Sequence, residues 1–205
     1  MNRNMERARQ SEEQTLQAIG MVGWLTTAQV AAWVWPASGA HSARNRAAEV
    51  LGRLVDRGFV MRRQTTLGTW AYLLTNAGAA RANASLDLEA CRNGYDLSQL
   101  DTLRQSIIVE YLLAQDSTPK LGPAGIRGWA RCGMLDSEHL VHADVLTWDP
   151  FHGSWRAAIV VRSLHPSVLA KARRIRAAAV HLELLGHPWL VQQFVQQLGH
   201  RKGGR

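Results

Sequence analysis

The stretch from His41 to Leu74 reads HSARNRAAEVLGRLVDRGFVMRRQTTLGTWAYLL, and the rest of the chain is organised around it. Ser42 stands where it can cap a helix beginning at Ala43. Val50, Leu51, Leu54 and Val55 follow at i, i+1, i+4 and i+5, which gives one buried stripe. Arg44, Arg46, Arg53 and Arg57 fall mostly away from that stripe. Gly58 closes the helix, because a residue without Cβ enters the left-handed region at little cost. Residues 59–61 are expected as a short strand, residues 62–69 as a polar loop turning at Gly68, and residues 70–74 as the returning strand. Thr75-Asn76-Ala77-Gly78 then opens another helix.

Helix, glycine, strand, basic loop, strand and helix start is the layout of a winged helix-turn-helix, in which the helix enters a DNA major groove beside a loop that touches the backbone. The residues before it supply the remaining helices. Residues 1–10 are polar and expected to fray. Ser11 and Gln14 stand at capping-box positions for a helix buried through Leu16, Ile19 and Val22. Thr26 or Thr27 caps a second helix through Val34, ended by Pro36 and Gly39. Trp24, Trp33 and Trp35 crowd this region and are expected to pack in the core. Arg44, Asn45 and Arg46, in the first turns of the recognition helix, are the candidates to reach base edges, Arg to guanine and Asn to adenine, with Ser42 beside them as a further DNA-binding candidate. Arg53 lies further along the same helix. Arg57 is a candidate to pair with Asp56 or Glu49. Arg62, Arg63 and Gln64 on the wing are candidate phosphate contacts.

The 205 residues carry a formal net charge of +8, and its distribution is uneven. Residues 1–85 hold 10 Arg against 5 acids, residues 86–160 hold 6 basic and 10 acidic residues, and residues 161–205 hold 8 basic residues and one acid. Of the 24 basic residues 21 are Arg, the side chain suited to bidentate phosphate and guanine recognition. A GC-rich coding sequence would also raise Arg, but it does not explain the clustering. No apolar run reaches the roughly 18 residues of a membrane helix, and no secretion signal is visible at the N-terminus. Cys91 and Cys132 lie far apart without metal-ligand spacing. A disulfide between them is possible, and a reduced, cytoplasmic setting is the simpler expectation.

The polar stretch Asp87 to Gln99 marks an expected domain boundary. Beyond it, Leu103, Ile107, Ile108, Tyr111 and Leu112 form a helical stripe. Residues 124–137 are weakly patterned. Residues 140–148 alternate as a strand, 149–154 form a turn, and 155–162 return, so 140–162 is expected as a β-hairpin. In that strand His142 and Asp144 would share one face. A helix is expected from Pro166 or Ser167 to about Leu185, broken by Gly186-His187-Pro188, with 189–191 as a short last strand. Lys171, Arg173, Arg174 and Arg176 form a basic cluster on that helix, open to three readings: DNA backbone, a protein partner, or a solvated face.

His142-Ala143-Asp144, then Ile159-Val160-Val161-Arg162, then the following helix, resemble the core of the PD-(D/E)XK restriction-endonuclease-like superfamily. In active members the first Asp and an acidic residue on the next strand hold a divalent metal, and a Lys two positions on stabilises the attacking water. Asp144 matches the first. Val160 and Val161 stand where the second carboxylate belongs, and Arg162 at the Lys position cannot act as a base at neutral pH. One Asp is a poor site for a hard cation, so the resemblance implies a catalytically inactive member. A winged helix followed by such a domain is similar to the replication-relaxation family of plasmid and integrative-element proteins. Trp129-Ala130-Arg131, Glu138 and the His142-Ala143-Asp144 strand fall about where that family has its second-domain landmarks. The resemblance spans about residues 11–195 and implies DNA binding in plasmid replication, mobilisation or their control.

The expected fold class is α+β: an N-terminal winged helix-turn-helix followed by a small α/β domain. The expected boundaries are a disordered 1–10, a DNA-binding domain at 11–85, a connector at 86–100, the nuclease-like domain at 101–198 and a basic tail at 199–205. The expected partner is double-stranded DNA, read by a homodimer, with other replication or mobilisation proteins as further partners and no membrane. No cofactor and no metal site is expected. His139, His142 and Asp144 supply at best two ligands on one face of a strand, short of what zinc needs. No nucleophilic triad and no phosphate-cradling glycine loop is visible. Two rival functions stand beside this one. A metal-dependent DNA endonuclease would use Asp144 with Glu138 or Asp136. An adaptor would use its winged helix to dock protein.

Overall fold

The computed structural model describes residues 3–86, 99–116, 119–135, 137–178 and 181–199. It is a mixed α+β structure. In chain order the first half contains α1 (Arg3–Val22), β1 (Trp24–Thr26), α2 (Thr27–Val34), α3 (Ala40–Asp56), β2 (Val60–Gln64), β3 (Trp70–Leu74) and α4 (Asn76–Leu86). The second half contains α5 (Gln99–Ala114), β4 (Lys120–Leu121), α6 (Pro123–Arg131), a short 3-10 helix (Glu138–His142), β5 (Val145–Asp149), β6 (Ser154–Val160), α7 (Pro166–Ala177), β7 (His181–Leu185) and α8 (Pro188–Gly199). No helix among the described residues is long and apolar enough to cross a membrane.

In the first half, β1, β3 and β2 form an antiparallel sheet in that order. Val60, Leu74 and Tyr72 face the helices with Leu25, and Trp24, Ala71 and Leu73 form a small cluster on the other face. Against the first face pack Leu16, Ile19 and Val22 of α1, Val30 and Ala31 of α2, and Ala43, Ala47, Val50, Leu51 and Leu54 of α3. The stripe expected in α3 is therefore the one that is buried, and Gly58 adopts φ +72° at its end. Thr26 caps α2 in a reciprocal box with Gln29.

The second sheet has the order β4-β5-β6-β7, antiparallel except for the parallel pair β6–β7. Both faces are covered. Leu121, Leu146, Ala157 and Ile159 meet Ile126 of α6, Leu169, Ala172 and Ile175 of α7, and Phe194 of α8. Val145, Ala158 and Val160 meet Ile108, Val109 and Leu112 of α5, in a cluster continuous with the first half's core. α6 docks on the end of α1 at two glycines. A Cβ on Gly122 would lie 2.9 Å from Val22 Cα, and one on Gly125 would lie 3.1 Å from Met21 O.

Several expected boundaries shift, each for a local reason. Residues 3–10 continue α1 rather than fray, being good helix formers with an Arg9–Glu13 pair at i, i+4. Ser11 therefore lies inside α1, its Oγ donating to Arg7 O rather than capping. Ser42 is not the cap of α3, because the ladder already begins with Ala43 N donating to Gly39 O at 2.9 Å. Arg62, Arg63 and Gln64 belong to β2, so the hairpin loop is shorter than expected. Residues 138–142 are helical, opened by Ser137 accepting from His139 N, and the strand begins only at Val145. His142 and Asp144 are thus not strand neighbours on one face. The helix expected to reach Leu185 ends at Ala177. His181–Leu185 forms a strand instead, with Leu182 and Leu184 on the buried face that Ile159 shares. Residues 189–191 lie in α8, where Pro188 opens a helix buried through Leu190, Val191, Phe194 and Leu198. Most of the expected connector and the tail beyond Gly199 lie outside the described residues, as does Cys91, while Cys132 is exposed and free.

Candidate nucleic-acid interface

The turn between α2 and α3 leaves the first turns of α3 in solvent. His41, Ser42, Arg44, Asn45 and Arg46 are exposed, while Ala43 and Ala47 between them point into the core. Asn45 Nδ2 sits 3.2 Å from His41 Nε2, and Arg46 Nη1 donates to Ser38 Oγ at 3.4 Å, a long contact. Among the described residues no carboxylate pairs with Arg44. The expected base-reading residues are therefore all in solvent, with Arg44 on the flank of α3 toward Leu113 and Lys120 and Arg46 on the flank toward Arg7 and Ser11 of α1.

Arg53 and Arg57 are held differently. Glu12 of α1 is buried and accepts from Arg53 Nε at 3.3 Å and from Arg57 Nη1 at 2.7 Å, and Arg81 Nη2 of α4 stands 3.6 Å away. One carboxylate thus ties α1, α3 and α4 together. Arg57 pairs with Glu12 rather than with Asp56 or Glu49. The three arginines lie 41, 45 and 69 residues from Glu12, so no local spacing could have pointed to it. Replacing Glu12 with alanine is expected to lower stability by about 1–2 kcal/mol, discounted because Arg53 and Arg57 are about half exposed. Thermal unfolding would show it, and an unchanged Tm would remove Glu12 as an organising group.

The β2–β3 hairpin presents Arg62, Arg63 and Gln64, all exposed. Arg62 lies over the Trp70 ring at 5.0 Å, which fixes the guanidinium above the sheet. The loop is stapled by Thr65 N donating to Thr69 O, by the paired Thr65 and Thr69 hydroxyls, and by Gln64 Nε2 donating to Gly68 O. The hairpin is therefore pre-ordered, with Leu67 exposed near its tip.

Of the α7 cluster, Arg173 donates to Gln197 O at the end of α8, and Arg174 Nη1 lies 3.2 Å from His142 Nε2. Burial, with the charges of Arg174, Lys171 and His139, holds the His142 imidazole below the ordinary range. Lys171 turns inward. Its Nζ donates to Asp144 Oδ1 at 2.7 Å, and Arg104 Nη2 of α5 donates to the same oxygen at 2.6 Å. Val160 N donates to Asp144 Oδ2 at 2.8 Å. Burial alone would push this carboxyl up. The Lys171 and Arg104 charges and their hydrogen bonds outweigh it and hold the carboxyl below the usual range. Both oxygens of Asp144 are thus taken by donors, two of them cationic, and the neighbouring Val160 and Val161 are apolar. This donor set does not fit a divalent cation, and among the described residues no three His, Cys, Asp or Glu gather. Arg162, which the nuclease resemblance sets at the lysine position, points to Asp101 at 3.5 Å. Asp136 lies outside the described residues.

No family model, no curated protein and no solved structure matches the chain.

Proposed function

We propose that the protein is a duplex-DNA-binding accessory or regulatory factor of a plasmid or other mobile element. The observation that carries this is the exposure of Arg44, Asn45 and Arg46 in the first turns of α3, presented by a helix–turn–helix and followed by a hairpin with Arg62 and Arg63 in solvent. The order α1-β1-α2-α3-β2-β3 and the sheet order β1-β3-β2 support a winged helix. The order α5-β4-β5-β6-α7-β7, interrupted by α6 and the 3-10 helix between β4 and β5, with an antiparallel run and a parallel last strand, supports the PD-(D/E)XK resemblance. The saturation of Asp144 by Arg104 and Lys171 favours a structural role for that domain over phosphodiester cleavage. Lys171 leaves the set of proposed phosphate contacts, and Arg53 is a weaker member because Glu12 holds it.

The test is selection of duplexes from a random library at near-physiological salt without added metal, followed by fluorescence anisotropy on the enriched duplex. Replacing Arg44 and Arg46 together with alanine is expected to weaken binding by about a hundredfold, since each good base contact contributes roughly 1–3 kcal/mol. If neither touches bases, both still contact phosphate, and the salt slope falls by about 2. A wild-type chain that retains no duplex overturns the proposal. A double variant that binds as well as wild type moves the contact surface elsewhere. An enriched inverted repeat would establish a dimer and give its half-site spacing.

A further inference from the structure

Where the two halves meet, an open cleft of about 550 Å³ lies beside the recognition helix. Trp33, Trp35 and Pro36 of α2 and its turn line it, with alanines of the same region, Arg44 of α3, Leu113 of α5 and Lys120 of β4. Its size is that of a small-molecule site, roughly 300–1,000 Å³, and its place between two packed units is where such sites form. Among the described residues the lining has one charge sign only: Arg44 and Lys120 are charged, and no carboxylate of the described residues lines it. Neither cation is ion-paired among the described residues, in contrast to Arg53, Arg57, Arg104 and Lys171, each of which holds a carboxylate. Burial holds the Lys120 ammonium below its ordinary range, and Asp116 acts against this only from outside ion-pairing distance. Two cations that hold no ion pair among the described residues, set on an apolar wall, call for an occupant that is itself apolar with one anionic end.

We propose that this cleft binds a small apolar carboxylate, with its hydrocarbon body against Trp33 and Trp35 and its anionic end neutralising Arg44 and Lys120. A phosphodiester would satisfy the cations but leave the indole walls in water, and a neutral aromatic would leave the cations unpaired. The site has a consequence for control that rests on the DNA-binding reading above. Arg44 belongs both to the cleft and to the proposed base-reading residues, so an occupant that engages it competes with DNA. By linkage, DNA then weakens the occupant by the same factor.

Isothermal calorimetry on the full chain with phenylbutyrate, decanoate and neutral phenylbutyramide tests the site without reference to DNA. The acids are expected to bind saturably and the amide not to. Lys120→Met and Arg44→Met, both accepted only if their unfolding midpoints match wild type, are each expected to weaken the acids at least tenfold. Absence of saturable heat from both acids overturns the proposal. So does equal binding of acid and amide, or binding that neither substitution changes. The coupling is read separately, by adding phenylbutyrate to the complex with a selected duplex and following anisotropy. Loss of affinity in wild type but not in Lys120→Met supports it, and unchanged affinity despite calorimetric binding overturns it. If no duplex binds at all, the DNA-binding reading and the coupling both fall, while the calorimetry still decides the site.

Discussion

Replacing Asp144 with alanine is expected to destabilise the chain by about 3 kcal/mol, roughly 10 °C in Tm for a chain of this size. Asp144 is almost fully buried, and its removal leaves Arg104 and Lys171, each about one quarter exposed, without a counter-charge and the Val160 amide without an acceptor. The cost comes from those stranded groups more than from the lost attraction, which sets the value at the lower end of what broken buried pairs show. A second variant separates the two causes. Asp144→Leu with Arg104→Met and Lys171→Met removes every charge together, and it is expected to recover the part of the loss that comes from stranded charge, while the Val160 amide still lacks its acceptor. If the triple variant is as unstable as Asp144→Ala, stranded charge is not the source of the loss and the Val160 amide's lost acceptor is. Urea unfolding of the three chains decides this.

The same cluster sets a pH limb. The folded carboxyl is held below its ordinary value of 3.8, so its contribution is fully present above that value and is lost as pH falls through the lower folded value. Wild type is therefore expected to lose stability below about pH 4 more steeply than Asp144→Asn does. Parallel acid limbs would contradict the partner assignment.

The local grammar of the chain was legible where a single segment contains its own signals. The α3 stripe, Gly58 and the β3 strand all follow from spacing and from a residue that tolerates positive φ. Strands of two or three residues, β1 and β4, carry no periodicity of their own and exist because a neighbour offers a ladder. The end of α7 was hidden because Leu182, Leu184 and Leu185 continue an apolar pattern that suits either helix or strand, and only pairing with β6 decides. At the candidate site, the exposed α3 residues were readable from the stripe they avoid. The fates of Lys171 and Arg53 were not, since Asp144 and Glu12 lie 27 and 41 residues away and only the folded chain brings them together.

A single methyl group at Gly78 is expected to be as damaging as the loss of Asp144, and against what helix propensity alone predicts. Gly78 lies in the first turn of α4, where alanine would normally stabilise by up to about 1 kcal/mol. Here a Cβ would fall 1.8 Å from Phe59 O and 2.8 Å from Phe59 C, both backbone atoms that no side-chain rotation can clear. Moving α4 away is not free either. Phe59 O accepts from Thr75 N at 3.1 Å, Thr75 Oγ1 donates to Gly58 O at 2.6 Å, and Gly78 N donates to Thr75 Oγ1 at 3.1 Å. The contact that forbids the methyl group is therefore tied to the cap that starts the helix, and separation loses both. Gly78→Ala is expected to cost about 3 kcal/mol, the upper end for overpacking. Gly52→Ala in the middle of α3 is the matched control. Nothing lies within 4 Å of a Cβ there, so the same substitution is expected to stabilise by up to about 1 kcal/mol. Opposite signs for the two variants in urea unfolding would show that close backbone approach, not glycine's flexibility, fixes Gly78. A neutral or stabilising Gly78→Ala would mean that α4 does not sit on Phe59 as described.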